Sequence, residues 1–169
     1  MYISSSQSLR LVLVAALFLT LPLPSLNAQI IAGANDLRER GIALINKGQF
    51  NEALLLLKQA TKSKSDDAEA WYFLGIAYVQ TEDFQKATSA FSSATKLSPT
   101  YLAAHTGLSY ALLRRGKLHD AEVSAARALE IDPKNVDANY TMGVIKLKTG
   151  LRDEALSYAD RTIELSGLR

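Results

Sequence analysis

Small residues recur along this chain with a fixed period of 34 positions. Gly41, Gly75, Ser109 and Gly143 stand 34 apart, as do Ala53, Ala87, Ala121 and Ala155. Ala60, Ala94 and Ala128 form a third series with Thr162 next in line, and Pro99 and Pro133 are one period apart. Gly48, Gly116 and Gly150 share the grid, with Glu82 standing in the vacant place. Four periods make 136 residues, from Ala34 to Arg169. A repeat of this length implies like supersecondary units stacked in a row, each too small to bury its apolar face alone.

Each unit reads as two helices. Trp71, Leu74, Gly75 and Tyr78 fall on one helical face. A break follows at Thr81-Glu82-Asp83, then Ala87, Phe91 and Ala94 mark a second helix that Pro99 ends. Gly75 and Ala87 are expected where two antiparallel backbones approach, with Phe91 filling the space beside them.

The run Trp71-x2-Leu74-Gly75-x2-Tyr78, followed by Ala87, Phe91, Ala94 and Pro99, resembles the tetratricopeptide repeat. The resemblance covers units 34–67, 68–101, 102–135 and 136–169, the outer two being degenerate: Leu37 and Asn139 replace the Trp, and Ser65 and Gly167 the Pro. It implies an all-α, right-handed solenoid of four helix-turn-helix units, about eight antiparallel helices. It also implies a non-enzymatic protein-binding role, with the first helix of each unit lining a concave surface for a peptide or helix of a partner.

From the register, that groove is expected to hold Arg38, Ile42 and Ile45, then Tyr72, Phe73, Ile76, Val79 and Gln80. Thr106, Gly107, Tyr110, Leu113 and Arg114 follow, then Tyr140, Thr141, Val144, Leu147 and Lys148. Tyr72, Tyr110 and Tyr140 sit on related turns of successive units and are the leading candidate anchors. Some members of the family clamp a C-terminal carboxylate with Lys and Asn side chains. The matching places here hold Arg38, Ile42, Phe73, Ala103 and Gly107, or one unit later Tyr72, Ile76, Gly107, Asp137 and Thr141. Neither set supplies the convergent cations and amides, so chaperone-tail binding is not expected.

Composition narrows the alternatives. There is no cysteine, which removes disulfides, thiolate metal sites and cysteine nucleophiles. His105 and His119 are the two imidazoles; His105 takes the Trp71 place and reads as a packed side chain. No metal, cofactor or catalytic set is expected. A formal charge of +2 is too small for a dedicated nucleic-acid binder, and the basic cluster Arg114, Arg115, Lys117 flanks a helix end. Asn139-Tyr140-Thr141 matches a glycosylation acceptor but falls inside a helix.

Residues 1–28 have a different character. Arg10 is their single charge, followed by an apolar run from Leu11 to Leu21, then Pro22, Pro24 and small or polar residues to Ala28. This is a secretory signal pattern, with cleavage after Ala28 and a short linker at 29–33. An uncleaved anchor is the alternative, although the uninterrupted run has 11 residues where a spanning helix needs about 20. Both readings place the repeats outside the cytoplasm, in the periplasm, in the cell envelope or secreted. A second functional reading is a self-assembling module, or the N-terminal part of a larger envelope protein. Its motive is the last helix, where Leu156 and Ile163 could meet another copy.

Overall fold

The spacing of small residues becomes a regular succession of helix pairs. The computed structural model describes residues 25–167, and the apolar run of the expected signal segment lies outside them. Eight helices follow in order: α1 (Leu26–Asn46), α2 (Phe50–Ser63), α3 (Ala68–Gln80), α4 (Phe84–Leu97), α5 (Leu102–Arg114), α6 (Leu118–Ile131), α7 (Val136–Lys148) and α8 (Arg152–Ser166). From α3 onward, corresponding helices begin one period of 34 apart. Residues 29–33, expected as a linker, are instead turns of α1, which Ser25 caps through the Ala28 amide. The stretch Gln29-Ile30-Ile31-Ala32-Gly33 holds no proline, and its glycine weakens the helix without ending it.

Several helix boundaries have a local cause. Asp67, Asp83 and Asn135 accept the amides of Ala70, Lys86 and Ala138, capping α3, α4 and α7. Gly48, Gly116 and Gly150 turn the chain between the two helices of a unit with φ of 75°, 72° and 82°. Glu82 takes the same left-handed conformation at φ 59° without glycine's freedom.

The boundary between units is held by a second periodic device. The Trp71 indole donates to the Ser65 carbonyl at 2.9 Å. His105 Nε2 lies 3.0 Å from the Pro99 carbonyl, and Asn139 Nδ2 donates to the Pro133 carbonyl at 3.1 Å. Three different side chains thus make one contact, six residues back. His105 is packed, as its place in the repeat suggests, and Asn139 is buried inside α7 with its amide engaged.

Neighbouring units bury their small-residue faces against each other, with Ala53, Ala87, Ala121, Ala70, Ala104 and Ala138 all fully enclosed. One apolar cluster joins the first three units around Leu57, Leu74, Tyr78 and Phe91. A second, of Leu112, Leu113, Ala121 and Ile145, joins the third to the fourth. Gly75 differs from its expected role. A Cβ there would lie 2.6–2.9 Å from the Phe91 ring, and one on Gly107 would lie 2.7–3.1 Å from the same ring. Phe91 is therefore sandwiched between two bare helix backbones of consecutive units. In the last unit Ala159 stands two periods after Phe91, so no ring occupies that place.

Ion pairs reinforce the seams. Arg38 on α1 reaches Asp67 at 2.7 Å and Glu69 at 3.4 Å, tying the first unit to the second. Lys146 on α7 meets Glu122 on α6 at 2.8 Å and Glu154 on α8 at 2.9 Å.

Candidate functional site

The first helices of successive units, α3, α5 and α7, lie side by side, and their exposed faces form one wall. A cavity of about 570 Å³ is set into it. Tyr72, Ile76 and Val79 come from α3, Thr106, Gly107 and Tyr110 from α5, and Tyr140 and Thr141 from α7. Phe91 reaches its floor because Gly107 leaves no side chain in the way. The lining is apolar and aromatic with few polar groups, the usual make-up of a ligand-holding cleft.

Tyr72, Phe73, Ile76, Val79, Tyr110, Leu113, Arg114, Tyr140, Val144 and Lys148 are the expected partner contacts, and five of these ten share one cavity: Tyr72, Ile76, Val79, Tyr110 and Tyr140. The other five go elsewhere. Phe73 is one residue, hence about 100°, round the helix from Tyr72, and it packs against the Leu57–Phe91 cluster. Leu113 is buried in the seam between the third and fourth units, a correction to its expected place in the groove. Arg114 is exposed beyond the cavity, with its guanidinium 4.2 Å above the Phe84 ring and Nη1 donating to the Tyr110 hydroxyl at 2.8 Å. It therefore fixes Tyr110 in place. Val144 leans on the Leu112–Ile145 cluster and lines a separate groove, and Lys148 is exposed near the end of α7. Arg38, also expected in the groove, is held in its ion-pair network.

The lining also includes residues outside the expected anchor set, among them two with chemistry of their own. Tyr101 precedes α5 in the loop between units, and Asp137 sits in the first turn of α7. The signal that could have found them is their place, since the cap and first turn of each first helix border the same wall, and Asp137 stands one period after Ala103. The Tyr72 and Tyr101 rings lie 5.1 Å apart, and Tyr72 is 5.8 Å from Phe91. Burial, then the Asp137 carboxylate, push the Tyr72 phenol above its ordinary value. The Tyr101 phenol is pushed up to about 12, by burial first and then by Tyr72, Glu69 and Asp67, against the opposing charge of Arg38.

A second groove of about 430 Å³ runs between α7 and α8 at the end of the stack. Gly143, Val144, Leu147, Leu156, Ala159 and Ile163 line it, and Leu156 is 63% exposed. It repeats, two periods on, the surface of α3 and α4 that α5 covers. Among the described residues no cluster of three or more His, Asp or Glu could hold a metal ion. Among the same residues no helix is long and apolar enough to cross a membrane.

The family described as Cytochrome c-type biogenesis protein H TPR domain matches residues 27–165. The cytochrome c-type biogenesis protein CycH of Pseudomonas aeruginosa is 28% identical over 159 residues, covering 90% of this chain and 38% of CycH. The chain spans between 12% and 25% of the length of three other curated relatives, BBSome complex member BBS4 among them. Among solved structures, a crystal structure of MamA is 27% identical with a TM-score of 0.74, covering 79% of this chain and 78% of that one. The first TPR of Spaghetti (RPAP3), solved with the HSP90 peptide SRMEEVD, superposes with a TM-score of 0.69 at 23% identity. It covers 70% of this chain and 94% of that one, and it shows the shared fold.

Proposed function

This chain belongs to the Cytochrome c-type biogenesis protein H TPR domain family, and from that premise we propose that it is a non-enzymatic scaffold holding a peptide or helix of a partner protein in its concave groove. The partner is a protein of cytochrome c-type biogenesis, and the setting is the periplasm or cell envelope. The carrying observation is the tyrosine-rich cavity across α3, α5 and α7, an exposed apolar surface with anchors on three successive units. A related fold solved around a peptide supports the mode of binding. The carboxylate clamp is absent from this chain's sequence, so apolar and aromatic contacts carry the affinity. The basic start and apolar run of residues 10–21 support export.

Site-specific photocrosslinking in cells tests this. A benzophenone side chain at Val79 in the groove should trap a discrete partner, and one at Val123 on the exposed side of α6 should not. Equal trapping from both positions refutes the groove. Protease protection of the repeats in intact cells tests export.

A second reading, self-association through α8, is favoured by the open groove carrying Leu156 and Ile163. Sedimentation velocity over a wide concentration range decides it. Leu156→Asp should abolish any concentration-dependent growth in size, and a wild-type monomer at all concentrations rules it out.

A further inference from the structure

The wall cavity has an uneven chemistry that a generic peptide groove does not require. Among the described residues lining it, Asp137 alone is charged; it acts on the Tyr72 phenol, whose ring lies 5.1 Å from Tyr101, and Tyr140 follows Asp137 three residues on along α7. Asp137 is exposed and makes no ion pair within the described residues. The neighbouring cap of α7 is already satisfied, since Asn135 rather than Asp137 accepts the Ala138 amide. Its carboxylate is therefore a surplus acceptor beside aromatic faces.

We propose that the end of the groove formed by Tyr72, Tyr101, Tyr140 and Asp137 is a cation site that takes an arginine or lysine side chain of the bound partner. The inference rests on the groove reading above and specifies the residue that the groove recognises. The faces of tyrosine rings carry negative charge density and attract a cation placed over them. A carboxylate at the rim adds a charge-assisted hydrogen bond, bidentate if the guest is a guanidinium. Glu69 and Asp67 lie near enough to act on the Tyr101 phenol, and Arg38, the cation on that side, is engaged by both. Burial first, then Tyr72, Glu69 and Asp67, raise that phenol above its ordinary value. An acidic guest would face Asp137 and the ring faces together. The start of α5, where Tyr101 supplies no side-chain cap, favours an anion, but a helix end acts only over its first turn.

The test uses the full chain and three fluorescent peptides of one apolar sequence, differing at a central residue that is arginine, citrulline or glutamate. Citrulline keeps the shape of arginine and removes its charge. Fluorescence anisotropy should show the arginine peptide binding about tenfold more tightly than the citrulline peptide, with the glutamate peptide weakest. Asp137→Asn should reduce the arginine preference to about threefold or less and leave citrulline binding unchanged. Asp137 is exposed, so an unaltered circular dichroism spectrum is expected and is checked.

Equal affinity for the arginine and citrulline peptides, with both lost in Ile76→Asp, overturns the cation site and leaves the groove standing. An arginine preference that survives Asp137→Asn intact overturns the assignment to this end of the groove. Failure of all three peptides to bind overturns this proposal together with the groove reading beneath it.

Discussion

Replacing Gly75 by alanine tests the packing logic of the stack at its tightest point. The added Cβ would sit 2.6, 2.7 and 2.9 Å from three carbons of the Phe91 ring. That is about 1 Å inside the ~3.5–4.0 Å at which carbon atoms attract. The ring cannot retreat, because the Gly107 backbone is pressed against it as closely, and Phe91 is fully buried. Overpacking of this kind costs about 1–3 kcal/mol. Alanine regains about 1 kcal/mol over glycine in helix propensity. With Gly107 closing on the same ring carbons, the net loss should be up to about 2 kcal/mol, a fall in Tm of about 2–4 °C per kcal/mol.

The control is Gly33→Ala in α1, where a new Cβ meets nothing within 4 Å, so the same substitution should stabilise by about 0.5–1 kcal/mol. The decisive comparison is a double-mutant cycle with Phe91→Leu, followed by urea denaturation and far-ultraviolet circular dichroism. Without the ring, Gly75→Ala should become neutral or mildly stabilising, a coupling of about 1–3 kcal/mol. An equal cost for Gly75→Ala in both backgrounds, or a gain in the wild type, refutes the sandwich as the reason for the glycine.

Other substitutions follow from the same contacts. Glu82→Gly should raise stability by about 0.5–1 kcal/mol, because the turn at φ 59° strains any side chain but suits glycine; an unchanged denaturation midpoint would contradict this. Asp83→Ala should cost about 1 kcal/mol by removing the cap of α4. Its hydrogen bond from Lys86 holds the Asp83 carboxyl below the usual range. That contribution is present above the unfolded carboxylate's pKa and is lost as pH falls through the folded one, so the variant's stability profile should converge on wild type in acid. Lys146→Met, which leaves Glu122 and Glu154 without their shared cation, should lower stability by about 0.5–1 kcal/mol in low salt and less in high salt. Ultraviolet titration of Tyr101→Phe should lack the phenol that ionises near 12. Its raised value means stability is full below the ordinary tyrosine range and is lost as pH rises through the shifted one.

The solenoid was legible because a stack of units exposes its grammar twice. The small residues fix the period, and the turn glycines with Pro99 and Pro133 fix the helix ends. The wall was half legible, since spacing tells which side of a helix a residue is on but not how the next unit covers it. Leu113 lies on the predicted face, yet the α7 side of the stack closes over it, and Phe73 misses by one step of the helix. Tyr101 enters from the loop before α5, where helical periodicity carries no information, and Asp137 was reached by register only as a failed clamp place and not as a lining residue. Gly75 was rightly singled out, but its partner is a ring and not a backbone, a distinction only three-dimensional contact reveals.

The side chains that reach six residues back say something about how such a chain tolerates change. Selection at that place sees a donor hydrogen at a given reach, and indole, imidazole and carboxamide all satisfy it. Chemical identity there is free to drift while the joint between units persists. The exception has its own explanation. Leu37 carries no donor, and the residue six before it, Ile31, lies within the unbroken helix α1, where no joint needs fastening. A leucine is affordable only at the head of the stack. Elsewhere, losing the donor would hand that carbonyl to water and leave the joint to the buried seam alone.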